Sequence, residues 1–295
     1  MTRRIVRVAL LICDTPVSLL IQAAADHSAR RHLDIFRRWL EEALKAYPDP
    51  DVAANTQLVL DPYNVVDKLE FPSHDRLRAG APDGYDVVML TGSKHTAYDV
   101  NSHFGPQLIE WMRNLANAPE FQHVKIIGVC YGHQILSLAL GGECKQGTNG
   151  WEVGVYGCDM TEEGRYYWSD SVVANGASKI YVEQMHKDVV TKVPPGCDLL
   201  LRSEKYPVHS FAKKHPASTS ERPLAQILTI QGHPEFTPGI VSTLVDVRSE
   251  AGIFNPEATA EARRRLGGKD GSGGEGEGRL GWAIWRVMLQ DLPAK

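Results

Sequence analysis

The chain has 295 residues, 43% of them hydrophobic, which is enough for a single domain spanning 1–295 with a large core. Lys and Arg number 32 against 36 Asp and Glu, a formal charge of -4, and no basic run or basic-aromatic stripe is present to neutralise phosphates, which argues against nucleic acid as a partner. No segment approaches the roughly 20 apolar residues that span a bilayer, so no membrane association is expected.

The opening "MTRRIVRVALLICDTP" places basic residues before an apolar stretch, but Arg7 interrupts that stretch and Asp14 ends it. Residues 4–13 therefore read as a buried first strand, not an export signal. Residues 29–47 form an amphipathic pattern with Leu33, Phe36, Leu40 and Leu44 on one face. "TQLVLDPYNV" gives a second strand. "YDVVMLTGS" (85–93) is a near-continuous apolar run ending in a turn, as expected of a strand buried on both faces. "HFGPQLIEWMRNLANA" supplies a helix and "HVKIIGV" the next strand. Alternation of this kind predicts an α/β domain with a largely parallel sheet.

Beyond Gly142 the pattern loosens. "WEVGVYGCDM", "KIYVEQM", "CDLLLRSE" and "PLAQILTIQG" read as strands separated by turns, which points to a small antiparallel addition. Residues 213–223 and 267–281 are rich in Gly, Ser, Pro and charge and read as exposed loops, the second of them flexible. "GWAIWRVMLQ" is apolar enough to dock as a last helix. The five cysteines, Cys13, Cys130, Cys144, Cys158 and Cys197, are odd in number, widely spaced and lack a CxxC pair. They predict neither a disulfide framework nor a zinc site and fit a reducing cytoplasm.

One cysteine differs from the rest. "KIIGVCYGHQILSLALGG" runs a buried strand through Gly128-Val129-Cys130-Tyr131-Gly132 straight into a helix, the strand–turn–helix context of a nucleophile elbow with cysteine in the serine position. Glycines two positions to either side let strand and helix pack closely. The turn exposes the Cys130 sulfur at the C-terminal edge of the sheet, and the helix N-terminus behind it favours thiolate. The other four cysteines lack this setting and read as small buried hydrophobes.

A thiol nucleophile needs a base and a group to orient it. "LTIQGHPEF" offers both: His233 and Glu235 are two positions apart, so in extended backbone their side chains leave the same face, with Pro234 stiffening the turn. His27, His32, His74, His123, His209 and His215 lie in polar or loop-like surroundings and are expected to be solvated.

"GVCYGHQ" together with "QGHPEF" resembles the class I glutamine amidotransferases, and within them the stand-alone members similar to the glutaminase domain of GMP synthase and to the γ-glutamyl peptidases. The similarity continues in order through "VVMLTGSKHTAYD", "GWEVGVY", "MHKDVV" and "LLLRSEKYPV". The resemblance implies a flavodoxin-like core and a Cys-His-Glu triad of Cys130, His233 and Glu235. It implies an oxyanion hole of the Gly92 and Tyr131 backbone N–H groups, and substrate contacts from Gln134, Trp151, His186 and Asp188. The implied reaction is hydrolysis of a γ-glutamyl amide bond, in glutamine or in a γ-glutamyl peptide such as glutathione or its conjugates, through a thioester and without metal or organic cofactor. No synthetase domain follows the core, so the alternative of a glutaminase subunit requires a separate ammonia-accepting synthetase. A specialised acyl-transfer enzyme and a non-catalytic binding protein are the remaining readings. Extra residues near 161–180, 213–222 and 267–280 lie outside the shared core and read as loops.

Overall fold

The computed structural model describes residues 3–15, 28–169, 178–268 and 274–293. Strand β1 (Arg4–Ile12) is buried from Val8 onward. Helix α1 (Ser28–Lys45) follows, with Phe36, Trp39, Leu40, Ala43 and Leu44 buried in the stripe that its periodicity predicts. The short α2 (Pro50–Asn55) is capped by the Asp49 carboxylate and leads into β2 (Thr56–Asn64). Next come α3 (His74–Leu77), β3 (Val87–Leu90), α4 (Gly105–Asn117), β4 (Lys125–Val129), α5 (Tyr131–Ala139) and β5 (Glu143–Gln146). The looser second half supplies β6 (Glu152–Met160), α6 (Glu162–Trp168), β7 (Lys179–His186), β8 (Asp188–Lys192), β9 (Cys197–Arg202), β10 (Ser210–Lys214) and β11 (Ala225–Ile230). Last are α7 (Pro238–Glu250), α8 (Pro256–Arg265), a π-helical turn (Gly276–Leu280) and α9 (Gly281–Met288).

Among the described residues, nine strands form one sheet in the order β2-β1-β3-β4-β11-β10-β9-β6-β7, and β5 pairs with β8 in a separate ribbon. From β2 to β11 the neighbours run parallel. From β11 onward β10, β9, β6 and β7 continue the sheet antiparallel. The architecture is α/β, and β3 and β4 are buried at every residue, as central strands with helices on both faces must be. Side chains of α1 and α9 pack on one face of the sheet and those of α4 and α5 on the other.

The stretches read as loops are only partly so. Lys213 and Lys214 belong to β10. Glu162–Trp168 form α6, capped by the Thr161 hydroxyl, while 170–177 lie outside the described residues. In 267–281, residues 269–273 lie outside the described residues, but Gly276–Leu280 form the π-helical turn. Two indoles bind this region to α1: Trp39 Nε1 donates to the Gly276 carbonyl at 2.7 Å, and Trp285 Nε1 to the Leu40 carbonyl at 2.8 Å. Gly276 also lies against the Pro234 carbonyl so closely that a Cβ there would stand 1.9 Å from the oxygen, and Arg38 of α1 donates to the Glu235 carbonyl at 3.4 Å. The segment carrying His233 and Glu235 is thus braced by both sequence-distant ends of the fold. No helix among the described residues is long and apolar enough to cross a membrane.

Candidate active site

The elbow forms as its glycines demand. A Cβ on Gly128 would lie 2.8 Å from the Gly132 carbonyl oxygen and 2.6 Å from Leu136 Cδ1, and one on Gly132 would lie 2.8 Å from the Leu90 carbonyl oxygen. Only bare backbone permits β3, β4 and α5 to approach this closely. Between the glycines Cys130 adopts φ 51° and ψ -100°, one of two non-glycine residues with positive φ among those described. Such a conformation costs on the order of 1–3 kcal/mol and persists only where packing enforces it. Here the Cys130 N–H donates to the Ile230 carbonyl at 2.8 Å, tying the turn to the end of β11. All five cysteines are free thiols, and Cys130 is 4% exposed.

The loop after β11 brings His233 and Glu235 to the same place. His233 Nδ1 is 2.7 Å from Glu235 Oε1, and its ring stacks flat on Phe236 with 4.0 Å between centres. Burial opposes a charge on His233, but the Cys130 sulfur and the Glu235 carboxylate outweigh it and raise its pKa to about 10. Gly92, at the end of β3, completes the cluster: a Cβ there would meet His233 Cε1 at 2.6 Å and Cys130 Cβ at 3.5 Å. Tyr131 is the first residue of α5, whose opening amides have no carbonyl one turn back to bind. Cys130, His233, Glu235, Gly92 and Tyr131, which are scattered over the sequence, therefore meet at the C-terminal ends of β3, β4 and β11.

The four residues expected to contact substrate are distributed differently. Gln134 is buried, and its amide nitrogen donates to the Asp188 carbonyl at 2.9 Å and to Gln231 Oε1 at 3.2 Å. Asp188 is half-buried and accepts from the Tyr98 hydroxyl at 3.2 Å. Trp151 is half-buried and meets Phe254 edge to face at 4.9 Å. His186 turns into the protein: its Nδ1 is 3.2 Å from the Asp188 carbonyl and its Nε2 is 3.0 Å from Glu152 Oε2.

Several residues that sequence reasoning passed over belong to this neighbourhood. Gln231 Nε2 donates to Cys130 Sγ at 3.6 Å, within the limit for a sulfur acceptor and suited to a thiolate. Glu183, in the middle of β7, accepts the His233 N–H through its carbonyl at 2.8 Å. The Glu183 carboxyl is buried with neither oxygen hydrogen-bonded, and burial raises its pKa to about 7 against the opposing pull of His233. His209, expected to be solvated, is 1% exposed, with Nε2 3.0 Å from the same Glu152 oxygen as His186. His209 precedes β10, an interior strand, and is enclosed there by Glu152 of β6 and by Gln184 of β7, whose amide nitrogen is 3.4 Å from its Nδ1. His215 is likewise buried, accepting the Ala217 N–H on Nδ1, and His123 is half-buried, while His74 is exposed and His27 lies outside the described residues.

Glu152, His186 and His209 present three ligand-type atoms within 4.8 Å of one another, a donor set that a divalent cation accepts. Ser203 Oγ holds the other Glu152 oxygen at 2.7 Å. Burial raises the Glu152 pKa, but the hydrogen bonds to the two histidines prevail and hold it well below the usual carboxylate range. The group joins β6, β7 and the residue that precedes β10. A separate cleft of about 620 Å³ lies between Trp151, Lys187, Lys205 and helix α8. None of Cys130, His233 and Gly92 lines it, so it is separate from the cysteine cluster.

Residues 63–244 match the family model described as glutamine amidotransferase class-I. A glutamine amidotransferase-like protein of Schizosaccharomyces pombe is 28% identical over 260 residues, covering 88% of this chain and 90% of that protein. Gamma-glutamyl peptidase 4 of Arabidopsis thaliana is 27% identical over 192 residues, 63% of this chain and 65% of the peptidase. GMP synthase of Shewanella pealeana is 27% identical over 167 residues, which is only 28% of that enzyme. Among solved structures, a glutamine amidotransferase from Thermotoga maritima superposes with a TM-score of 0.60 at 19% identity, covering 97% of this chain and 99% of that one. The chain belongs to the class I glutamine amidotransferases.

Proposed function

We propose that the protein hydrolyses a γ-glutamyl amide bond, in glutamine or in a γ-glutamyl peptide, with Cys130 as nucleophile. The observation that carries this reading is the strained Cys130 elbow placed beside a His233 ring that Glu235 orients. The Cys130 thiolate attacks the γ-carbonyl carbon, and the carbonyl electron pair moves onto oxygen, which the Gly92 and Tyr131 N–H groups stabilise in this reading. Collapse re-forms the carbonyl and breaks the C–N bond as His233 gives its proton to the departing amine, leaving a thioester on Cys130. Water, losing a proton to His233, attacks the thioester; glutamate leaves and the thiolate–imidazolium pair is restored. Gln231, donating to the sulfur, stabilises the anionic form at both ends of the cycle.

The likeness to the γ-glutamyl peptidase supports a peptide substrate. The partial alignment with GMP synthase supports the second reading, a glutaminase whose ammonia passes to a separate synthetase. Purified protein and Cys130→Ala, each given glutamine and glutathione while ammonia and glutamate are followed, decide between them. Glutamate released from glutathione by wild type alone is the expected result. Ammonia from glutamine alone, or turnover that appears only with an added partner, favours the second reading, and activity surviving in Cys130→Ala removes the mechanism.

A further inference from the structure

Helix α7 returns from Glu235 across the ends of β6 and β7 and carries Arg248 in its last turn. The guanidinium carbon of Arg248 is 5.7 Å from the ring centre of Trp151 and 6.0 Å from that of Phe254. Those two rings are fixed against each other edge to face and sit in a small apolar cluster with Val153, Met185 and Val245. A guanidinium set beside two aromatic rings is held in orientation without using its N–H donors. Among the described residues those donors make no hydrogen bond or ion pair, although the neighbouring arginines of α8 are paired, Arg263 with Asp246 and Arg265 with Glu261. Arg248 is half-buried, and the apolar cluster that carries its two rings also packs against Phe236, the ring stacked flat on His233. A preorganised cation with free donors, set in the cluster that backs the candidate base, matches a bidentate carboxylate.

We propose that Arg248 binds a carboxylate of the substrate and so selects for that carboxylate among γ-glutamyl compounds. The inference rests on the γ-glutamyl reading and deepens it. Two carboxylates have the required chemistry: the α-carboxylate of the glutamyl unit, and the terminal carboxylate of an amino acid or peptide that leaves as the amine. Trp151 then serves as the wall against which the guanidinium is positioned.

The test compares wild type with Arg248→Met and Arg248→Lys, on γ-glutamylglycine and on γ-glutamyl methylamide, which carries the same amide bond without a carboxylate on the amine. Losing charge-assisted hydrogen bonds to a carboxylate raises KM about 10- to 100-fold in Arg248→Met, acting on KM more than on kcat, with partial recovery in Arg248→Lys. An effect confined to γ-glutamylglycine places the carboxylate on the departing amine, and an effect on both compounds places it on the glutamyl unit. KM unchanged for both overturns the proposal. A second readout is independent of the substrate: the rate of Cys130 alkylation by iodoacetate relative to iodoacetamide, followed on the Cys130 peptide by mass spectrometry. This ratio is expected to fall about tenfold in Arg248→Met, and an unchanged ratio overturns the proposal. If wild type hydrolyses no γ-glutamyl compound, the γ-glutamyl reading fails, while the alkylation ratio still decides whether Arg248 serves anions at Cys130.

Discussion

His233 and Glu235 form a 2.7 Å contact from Nδ1 to Oε1 across a single intervening proline, with the imidazole pressed flat on Phe236. The contact assigns the Nδ1 proton to the carboxylate side and leaves Nε2 for the sulfur. It also makes the orientation of the base a property of one short segment.

Replacing Glu235 with Gln removes the charge and permits the opposite tautomer. Turnover of a γ-glutamyl substrate is expected to fall by about 10²- to 10⁴-fold. The raised pKa of His233, about 10, means that its proton is retained through neutral pH and lost as pH rises through that value. In a pH profile of kcat/KM the alkaline limb therefore lies high in wild type and moves to lower pH in Glu235→Gln. An unmoved limb would show that the carboxylate does not hold the proton.

Gly128→Ala tests the elbow without touching a reactive group. Its new methyl meets Leu136 Cδ1 at 2.6 Å and the backbone of Gly132 at 2.8 Å, so strand and helix must separate. Loss of about 3 kcal/mol is expected from urea denaturation, with much slower alkylation of Cys130. Gly239→Ala, whose nearest contact is 3.9 Å, is the control and stays near wild type in both measurements.

Glu183→Gln is expected to stabilise the protein at alkaline pH. The folded state raises the Glu183 pKa from 4.5 to about 7, so it holds a proton that the unfolded chain releases. Stability from this group is present below pH 4.5, declines as pH rises through about 7, and leaves a penalty of about 3 kcal/mol above that. The amide has no such dependence. Denaturation midpoints measured between pH 5 and pH 9 are expected to diverge, with the variant gaining as pH rises; parallel curves would show the carboxyl to be solvated.

What the sequence disclosed follows from the range of the interactions involved. The elbow is encoded within five residues, because the glycines that permit it lie two positions to either side of the cysteine, and the pairing of His233 with Glu235 needs only alternation along an extended segment. Gly92 was accessible through the turn at the end of a fully apolar run. His209 was not: its partner Glu152 is 57 positions away, and the two meet only because β10, β9 and β6 continue the sheet in that order. A charged residue opening the otherwise apolar "EVGVYG" was the available signal that Glu152 is buried. Glu183 and Gln231 owe their roles to the same strand order, and Arg248 to the path of a helix across strand ends. The sequence places Glu183 and Gln231 on strand-like runs without saying what faces them, and no element is read from it at Arg248.

The brace on the His233 segment separates the unit recognised by similarity from the unit that can fold. The family match covers 63–244 and contains Cys130, His233, Glu235, Gly92 and Tyr131, but not Arg248. It omits β1, which lies inside the sheet between β2 and β3, and also α1, the π-helical turn and α9. A fragment cut to the matched limits would strip β1 and nearly all of β2 from one edge of the sheet, expose β3, and remove both Gly276, which lies against Pro234, and the indoles that hold it. For anyone transplanting this chemistry into another protein, the transferable module is set by where the chain is buttressed, and its limits lie well outside the signature that identifies it.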